Sequence, residues 1–174
     1  MGMNQTPMSE RIHIGFFGKR NAGKSSVMNA VTGQDIAVVS DVKGTTTDPV
    51  YKSMELLPLG PVVMMDTPGI DDEGDLGNLR VKKSYQVLNK TDVAVLVIDG
   101  TAGASEEDRA LLIRIREKKI PYVVVLNKKE LAPPEAEQDT ARFLELAEDH
   151  MISVSAADGS GIHELKEMIG RIAK

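Results

Sequence analysis

Eight residues near the start of the chain have the types and spacing of a phosphate-binding loop. They read Gly18-Lys19-Arg20-Asn21-Ala22-Gly23-Lys24-Ser25, with an apolar segment before them and a helical pattern after them. Glycines let the backbone wrap around a phosphate so that successive N–H groups point inward. We expect Lys24 to stabilise the outer phosphates and the Ser25 hydroxyl to bind Mg²⁺. The pattern therefore predicts a nucleoside-triphosphate site.

Further ligands for such a site follow the next apolar segment. Asp66 ends that segment and begins Asp66-Thr67-Pro68-Gly69. A carboxylate at the C-terminal end of a strand lies on the ligand-binding edge of a parallel sheet, where it can hold Mg²⁺ through water. Gly69 offers an unhindered backbone N–H to the terminal phosphate. We therefore expect Asp66 and Gly69 to lie beside the phosphates.

A loop rich in hydroxyl groups lies between these two motifs. It reads Gly44-Thr45-Thr46-Thr47-Asp48. One threonine can complete the Mg²⁺ shell only while the terminal phosphate is present, so hydrolysis would release the loop. The pattern predicts that this loop, within residues 40–49, is a switch. The acidic, glycine-containing stretch within residues 69–78 has the composition of a mobile loop.

Two later loops are candidates for enclosing the base. Asn127-Lys128-Lys129-Glu130 and Ser155-Ala156 each follow a short apolar segment. A carboxylate there can accept the ring and exocyclic N–H donors of guanine, a pair that adenine lacks. These loops therefore favour a purine pocket with guanine as the candidate base.

The elements that must position these loops alternate between strand and helix patterns. Strand patterns cover 12–17, 50–57, 61–66, 93–99, 122–126 and 151–154, and helical patterns cover 25–31, 79–88, 106–118, 135–148 and 162–173. Residues 50–66 read as a hairpin. We therefore predict an α/β fold of the P-loop NTPase type: a mostly parallel six-stranded sheet with one antiparallel strand and helices on both faces.

Composition narrows the function further. The chain has 174 residues, no cysteine, and 21 Lys+Arg against 26 Asp+Glu, a net charge of −5. Without cysteine there is no thiolate metal site, iron–sulfur ligation or cysteine nucleophile in this segment. The acidic balance argues against a nucleic-acid partner, and no apolar run is long enough to span a membrane. We expect a cytoplasmic protein, with residues 1–9 a tag remnant and disordered arm and residues 10–174 one domain from a longer protein.

The motifs together resemble the translation-factor class of GTPases, in its Era-like and TrmE-like branch. The features that carry the resemblance are Gly18 to Ser25 with Ser26, Thr45-Thr46, Asp66 to Gly69, Asn127-Lys128 and Ser155-Ala156. A finer resemblance, mainly over residues 40–82, is to the HydF family of FeFe-hydrogenase maturation GTPases.

This resemblance implies GTP and GDP as ligands, with Mg²⁺ on Ser25, Thr46 and Asp66. It implies catalytic roles for Lys24, Thr46 and Gly69. For the full protein it implies the radical-SAM maturases HydE and HydG and the apo-hydrogenase as partners. Further domains would hold the iron–sulfur cluster and the homodimer contact, so no cluster is expected in this segment.

Three positions qualify that inference. Asn21 matches the asparagine by which potassium-dependent relatives bind K⁺ beside the phosphates; its alternative role is shaping the loop. Ile70 stands where Ras-like enzymes place a water-orienting glutamine, so hydrolysis should be slow, with Asp71, Asp72 or Glu73 as open substitutes. Glu130 stands where the family pattern has aspartate. The longer side chain should reduce, without abolishing, the preference for guanine.

Two other functions stay open at this point. One is a ribosome-assembly or tRNA-modification GTPase of the same branch, whose mark would be an appended RNA-binding or folate-binding domain. The other is a nucleotide-sensing interaction module with slow turnover, whose output is the conformation of residues 40–49 and 69–78.

Overall fold

The structure, a computed structural model, describes residues 12–18, 22–33, 50–56, 60–66, 87–146 and 150–173. Its strands are β1 (Ile12–Gly18), β2 (Val50–Leu56), β3 (Gly60–Asp66), β4 (Val93–Asp99), β5 (Tyr122–Asn127) and β6 (Met151–Ser153). Its helices are α1 (Lys24–Thr32), α2 (Glu106–Glu117), α3 (Ala136–Leu144) and α4 (Ile162–Ile172). Strands and helices alternate as the sequence patterns predict.

The six strands form one sheet in the order β2-β3-β1-β4-β5-β6. β1 pairs in parallel with β3 and β4, β4 with β5, and β5 with β6. The remaining strand, β2, runs antiparallel to β3, as predicted for a hairpin over residues 50–66. This confirms the predicted fold class. Because β1, β3, β4, β5 and β6 all point the same way, the loops after them meet at one edge of the sheet.

Apolar residues on the two faces of the sheet build two separate cores. In β4, Val93, Val95 and Val97 belong to one core, and the residues between them belong to the other. Helices α1 and α4 close the first core, and α2 and α3 close the second. Burial on both faces explains why β4 and β5 read as continuous apolar runs without alternation. The predicted helices on both faces are therefore confirmed.

The prediction for α3 was too long at its C-terminal end. The sequence pattern extends a helix to residue 148, but α3 ends at Leu144. Glu145 takes a left-handed conformation with φ 55°, and the N–H of Leu146 turns back to donate to the carbonyl of Ala141 at 2.8 Å. A left-handed residue after the last turn is a common way to end a helix, usually through glycine, so a glutamate there gives no sequence signal.

Some predictions lie outside the described residues. The loops at 40–49 and 67–78 are among them, as is most of the helix predicted at 79–88, of which Val87 and Leu88 are described as helical and buried. In the described part of the chain, no helix has the length and apolar character needed to cross a membrane.

Candidate functional site

Of the phosphate-binding motif, the structure describes Gly18, which ends β1, and residues 22–25, which lead directly into α1. Gly23 precedes the helix in a left-handed conformation, with φ 83° and ψ 30°, and its carbonyl accepts the N–H of Val27 at 2.9 Å. A Cβ on Gly23 would lie 2.4 Å from the Nδ2 atom of Asn127. Both the dihedral angles and the close approach therefore require glycine at this position.

The N-terminus of α1 is suited to an anion. Its N-cap residue, Gly23, has no side chain to cap it, and the first turn holds no acidic residue. The backbone N–H groups and the positive end of the helix dipole therefore face the loop without an internal carboxylate. Lys24, the first residue of α1, lies at the same point and is 5 % exposed. These features fit a phosphate group.

Asn127 connects this loop to the rest of the site. Its Nδ2 donates to the carbonyl of Ala22 at 2.9 Å, and its Oδ1 accepts the N–H of Ala156 at 3.1 Å. Only 4 % of the residue is exposed. One side chain therefore fixes the spacing between the phosphate loop and the loop after β6. An amide carries both a donor and an acceptor, whereas an ionised carboxylate of the same shape could make only the second bond.

The loop after β6 is closed by its own hydrogen bonds. The N–H of Ser155 donates to the carbonyl of Ser160, and the N–H of Gly159 donates to the carbonyl of Ser155, both at 2.8 Å. The N–H of Ser160 donates to the Asp158 carboxylate at 2.8 Å, and hydrogen bonds from the Ser160 backbone and then its hydroxyl lower the pKa of Asp158. Ser155 is 1 % exposed. The loop therefore forms a preorganised wall beside Ala156.

Glu130 lies in the turn that follows Asn127. Its side chain is exposed. Two backbone hydrogen bonds hold this turn. The N–H of Lys129 donates to the carbonyl of Val154, and the N–H of Leu131 donates to the carbonyl of Lys128, both at 2.9 Å. A carboxylate on a fixed turn at this edge can approach a ligand held between the two loops.

A carboxylate that the sequence reading missed completes this edge. Asp99 ends β4 directly opposite Asn127 in the β4–β5 register. Its Oδ2 accepts the Lys128 ammonium at 2.9 Å, and its Oδ1 accepts the Thr101 N–H at 2.8 Å and the Thr101 hydroxyl at 2.5 Å. Burial alone would raise the pKa of Asp99, but the hydrogen bonds from Thr101 and Lys128 outweigh it and hold that pKa below its ordinary value. The rule that selected Asp66, an acid at the C-terminal end of a buried strand, would also have found Asp99.

Lys128 itself has an unusual backbone. Its φ is 66°, a left-handed value for a residue that is not glycine. Such a conformation costs on the order of 1 kcal/mol or more and persists where the surroundings hold it in place. The two backbone bonds of its turn and the ion pair with Asp99 are among the contacts that hold it.

The structure brings together most of the predicted site residues that it describes. Those from the phosphate loop and those from the two base loops share the C-terminal edge of the sheet; they are Ala22, Gly23, Lys24, Ser25, Ser26, Asn127, Lys128, Glu130, Ser155 and Ala156. The backbone of Asp66 ends β3 at the same edge, in register with Phe16 of β1. Asn21, Thr45, Thr46 and Gly69 lie outside the described residues.

A metal ion at this site would be held mainly by the phosphates of a nucleotide. The described residues contain no group of three or more histidine, cysteine, aspartate and glutamate side chains that could hold a metal ion. Ser25, in the first turn of α1, offers a hydroxyl of the kind that Mg²⁺ binds beside nucleotide phosphates and water. The expected Mg²⁺ roles of Ser25, Asp66 and Thr46 stay predictions.

Comparisons with known proteins agree with this arrangement. The model of a family described as 50S ribosome-binding GTPase matches residues 13–128. The tRNA modification GTPase MnmE of Synechococcus sp. (strain JA-2-3B'a(2-13)) is 38% identical over 162 residues, covering 92% of this chain and 34% of that protein. MnmE of Heliobacterium modesticaldum is 36% identical over 156 residues, covering 89% and 33%. The chain therefore spans about a third of the length of these curated relatives.

Solved structures are similar over the same range. A variant of Aquifex aeolicus Era bound to GDP and AlF4⁻ superposes with a TM-score of 0.76 at 26% identity, covering 92% of this chain and 56% of that one. Era in complex with MgGDPNP and a segment of 16S ribosomal RNA gives a TM-score of 0.76 at 27% identity, with the same coverage. Both solved structures contain a guanine nucleotide, and in the second structure the nucleotide is bound with Mg²⁺.

Proposed function

We propose that this chain, which belongs to the family of 50S ribosome-binding GTPases, works as a GTP-driven switch domain within a longer protein. It binds GTP with Mg²⁺ and hydrolyses it to GDP and phosphate. The switch is the proposal: residues 40–49 and 69–78 would hold one conformation while the terminal phosphate is present and another after its release.

The single observation that carries this proposal is the double hydrogen bond of Asn127. Because the Asn127 amide binds Ala22 in the phosphate loop and Ala156 in the last loop, the phosphate and base ends of a nucleotide site are held at one fixed spacing. A general phosphate-binding loop needs no such bridge. The bridge is what a site needs when it must bind the base and the phosphates of the same molecule.

Each residue then has a role in hydrolysis. The buried ammonium of Lys24 would stabilise the charge that develops on the phosphates, and α1 would add its N-terminal N–H groups. Ser25, Thr46 and Asp66 would hold Mg²⁺, which would neutralise part of the charge on the phosphates. Gly69 would donate its N–H to the terminal phosphate.

Phosphate release from GTP tests this function. We expect the wild-type chain to release phosphate from GTP with Mg²⁺ and Lys24→Ala to lose about a hundredfold or more of that rate, the usual cost of removing one transition-state donor. Lys118→Ala is the matched control, because the Lys118 ammonium contacts the Asn89 side chain at the far end of α2. Equal rates for wild type and Lys24→Ala would contradict the proposal.

Two roles for the longer protein have different support. The tRNA-modification role is supported by the curated relatives, which carry the name MnmE at 32–38% identity. The hydrogenase-maturation role, with HydE, HydG and apo-hydrogenase as partners, is supported by the resemblance over residues 40–82 alone. The names of the relatives favour the first role.

Disrupting the gene in its own organism separates the two roles. Loss of modified tRNA nucleosides in mass spectra, with normal hydrogenase activity, would support tRNA modification. Loss of hydrogenase activity with unchanged tRNA would support hydrogenase maturation. If both readouts stay unchanged while GTP turnover is slow with and without K⁺, the nucleotide-sensing module is the better description.

A further inference from the structure

We propose that Asp99 is a positioning residue for the nucleotide and that it acts through Lys128. The inference rests on the proposed function, because it assumes that the edge formed by Asn127 and Ala156 binds a guanine nucleotide. It adds a residue that lies outside the loops where the sequence motifs place the ligand contacts. The geometry of five neighbouring hydrogen bonds supports it.

The two oxygens of the Asp99 carboxylate have separate partners. Oδ1 accepts both the N–H and the hydroxyl of Thr101, which makes a closed turn at the end of β4. Oδ2 is left for the Lys128 ammonium, 2.9 Å away. The Asp99 side chain is 11% exposed and that of Lys128 is 35% exposed. Thr101 therefore fixes the orientation of the carboxylate, and the carboxylate fixes the end of the lysine.

The backbone around Lys128 is held from both sides. The N–H of Gly100 donates to the carbonyl of Asn127 at 2.9 Å, so β4 and β5 stay paired up to the last residue before Lys128. The N–H of Lys129 donates to the carbonyl of Val154, which fixes the chain just after it. Between these two bonds Lys128 has its left-handed φ of 66°. A strained residue held at this edge is typical of a binding site.

The consequence for a ligand follows from the sheet order. β4 lies between β1, which leads into the phosphate loop, and β5, which leads into Asn127. The Lys128 side chain crosses from the end of β5 to the end of β4, so its position is part of the edge that connects the phosphate loop to the base loops. Without Asp99 the lysine would lose one restraint on its rotamers, and binding would have to supply that restraint instead.

Asp99→Asn isolates this contact. The amide oxygen of the new side chain can still accept from Thr101, while its NH2 group would face the lysine ammonium, donor against donor. We expect GDP affinity, measured by calorimetry, to fall by up to about tenfold, the typical cost of restricting one long side chain on binding. KM for GTP should rise by a similar factor, with a smaller change in kcat.

A double-mutant cycle with Lys128→Met separates positioning from general destabilisation. If Asp99 acts through Lys128, Asp99→Asn should change GDP affinity by less than about twofold in the Lys128→Met background. Asp92→Asn is the matched control: it removes the same charge at the opposite end of β4, where Asp92 accepts the N–H of His13 at 2.8 Å. We expect this control to bind GDP as wild type does.

The outcomes distinguish this inference from the proposed function. Wild-type affinity in Asp99→Asn, or an equal loss with and without Lys128, would overturn the role of Asp99 while leaving GTP binding intact. Failure of the wild-type chain to bind GDP would overturn the proposed function itself. Melting temperatures of all variants show that the affinities refer to folded protein.

Discussion

Removing the Asn127 side chain should disconnect the two halves of the nucleotide site. Asn127→Ala eliminates the hydrogen bond to Ala22 at 2.9 Å and the one from Ala156 at 3.1 Å. An intramolecular hydrogen bond contributes about 0.5–1.5 kcal/mol net, and the side chain is buried, so the free energy of unfolding should fall by about 1–3 kcal/mol. For a chain of this size the melting temperature should fall by roughly 2–4 °C per kcal/mol.

The effect on ligand binding should be larger than the effect on folding. Two loops that are no longer held together must be ordered by the nucleotide, so we expect GDP affinity to fall about a hundredfold. A ligand present at about a thousand times its Kd stabilises the folded state by about 4.1 kcal/mol; at about ten times its Kd the same relation gives about 1.4 kcal/mol. The GDP-induced rise in melting temperature should therefore shrink to about a third of its wild-type size.

Thermal unfolding with and without GDP measures both effects in one experiment. Ser153→Ala is the matched control, because it removes an exposed hydrogen bond to Glu137 of 2.6 Å next to the same edge of the sheet. We expect that variant to stay within about 0.5 kcal/mol of wild type. If Asn127→Ala keeps the full GDP-induced shift, the bridge does not organise the site and the reasoning is wrong.

Four further predictions use other parts of the same site. Gly23→Ala should lower GDP affinity, and it should lower the free energy of unfolding by about 1 kcal/mol or more beyond the loss in Gly33→Ala. Both glycines have positive φ, of 83° and 70°. Among the described atoms, a Cβ at Gly23 would lie 2.4 Å from Nδ2 of Asn127, whereas a Cβ at Gly33 would have no atom within 4 Å. Glu130→Asp should widen the preference for GDP over ADP, by up to the roughly 1.5–3 kcal/mol of one charged hydrogen bond; equal preference in both proteins would show that the longer side chain costs nothing. GTP turnover should rise when K⁺ replaces Na⁺, and Asn21→Ala should remove the difference; identical rates in the two salts would reject a potassium site. The difference in unfolding free energy between wild type and Asp99→Asn should be constant near neutral pH and narrow as pH falls below 3.8, because a lowered pKa in the folded state gives stability that is lost as the carboxylate is protonated.

The fold could be read from the sequence because its strands are buried on both faces. Runs such as Val93 to Ile98 are long enough and apolar enough to allow little other than central strands of a parallel sheet. The hairpin of β2 and β3 was equally clear from its short connection. The end of α3 was not predictable, since the left-handed conformation of Glu145 depends on its surroundings and not on its residue type.

Within the site, the sequence predicted which loops meet but not how they are connected. The phosphate-binding motif and the loops after β5 and β6 were found from their residue types. The bond between Asn127 and Ala22 joins residues 105 positions apart in the chain, and no local pattern reveals it. Asp99 could have been found, because like Asp66 it ends an apolar run, but its contact with Lys128 depends on its register with Asn127 across two strands. The hydrogenase-maturation interpretation depended on residues 40–82, whereas the curated relatives carry the name tRNA modification GTPase MnmE.

Calorimetric titration of GDP and ADP into the wild-type chain with Mg²⁺ tests the central claim, that one edge of the sheet holds the base and the phosphates of a guanine nucleotide together. We predict one saturable site for GDP and about tenfold or more weaker binding of ADP, the margin that a single charged hydrogen bond to the base provides. Equal affinity for the two nucleotides would show that only the phosphates are recognised and would contradict the account.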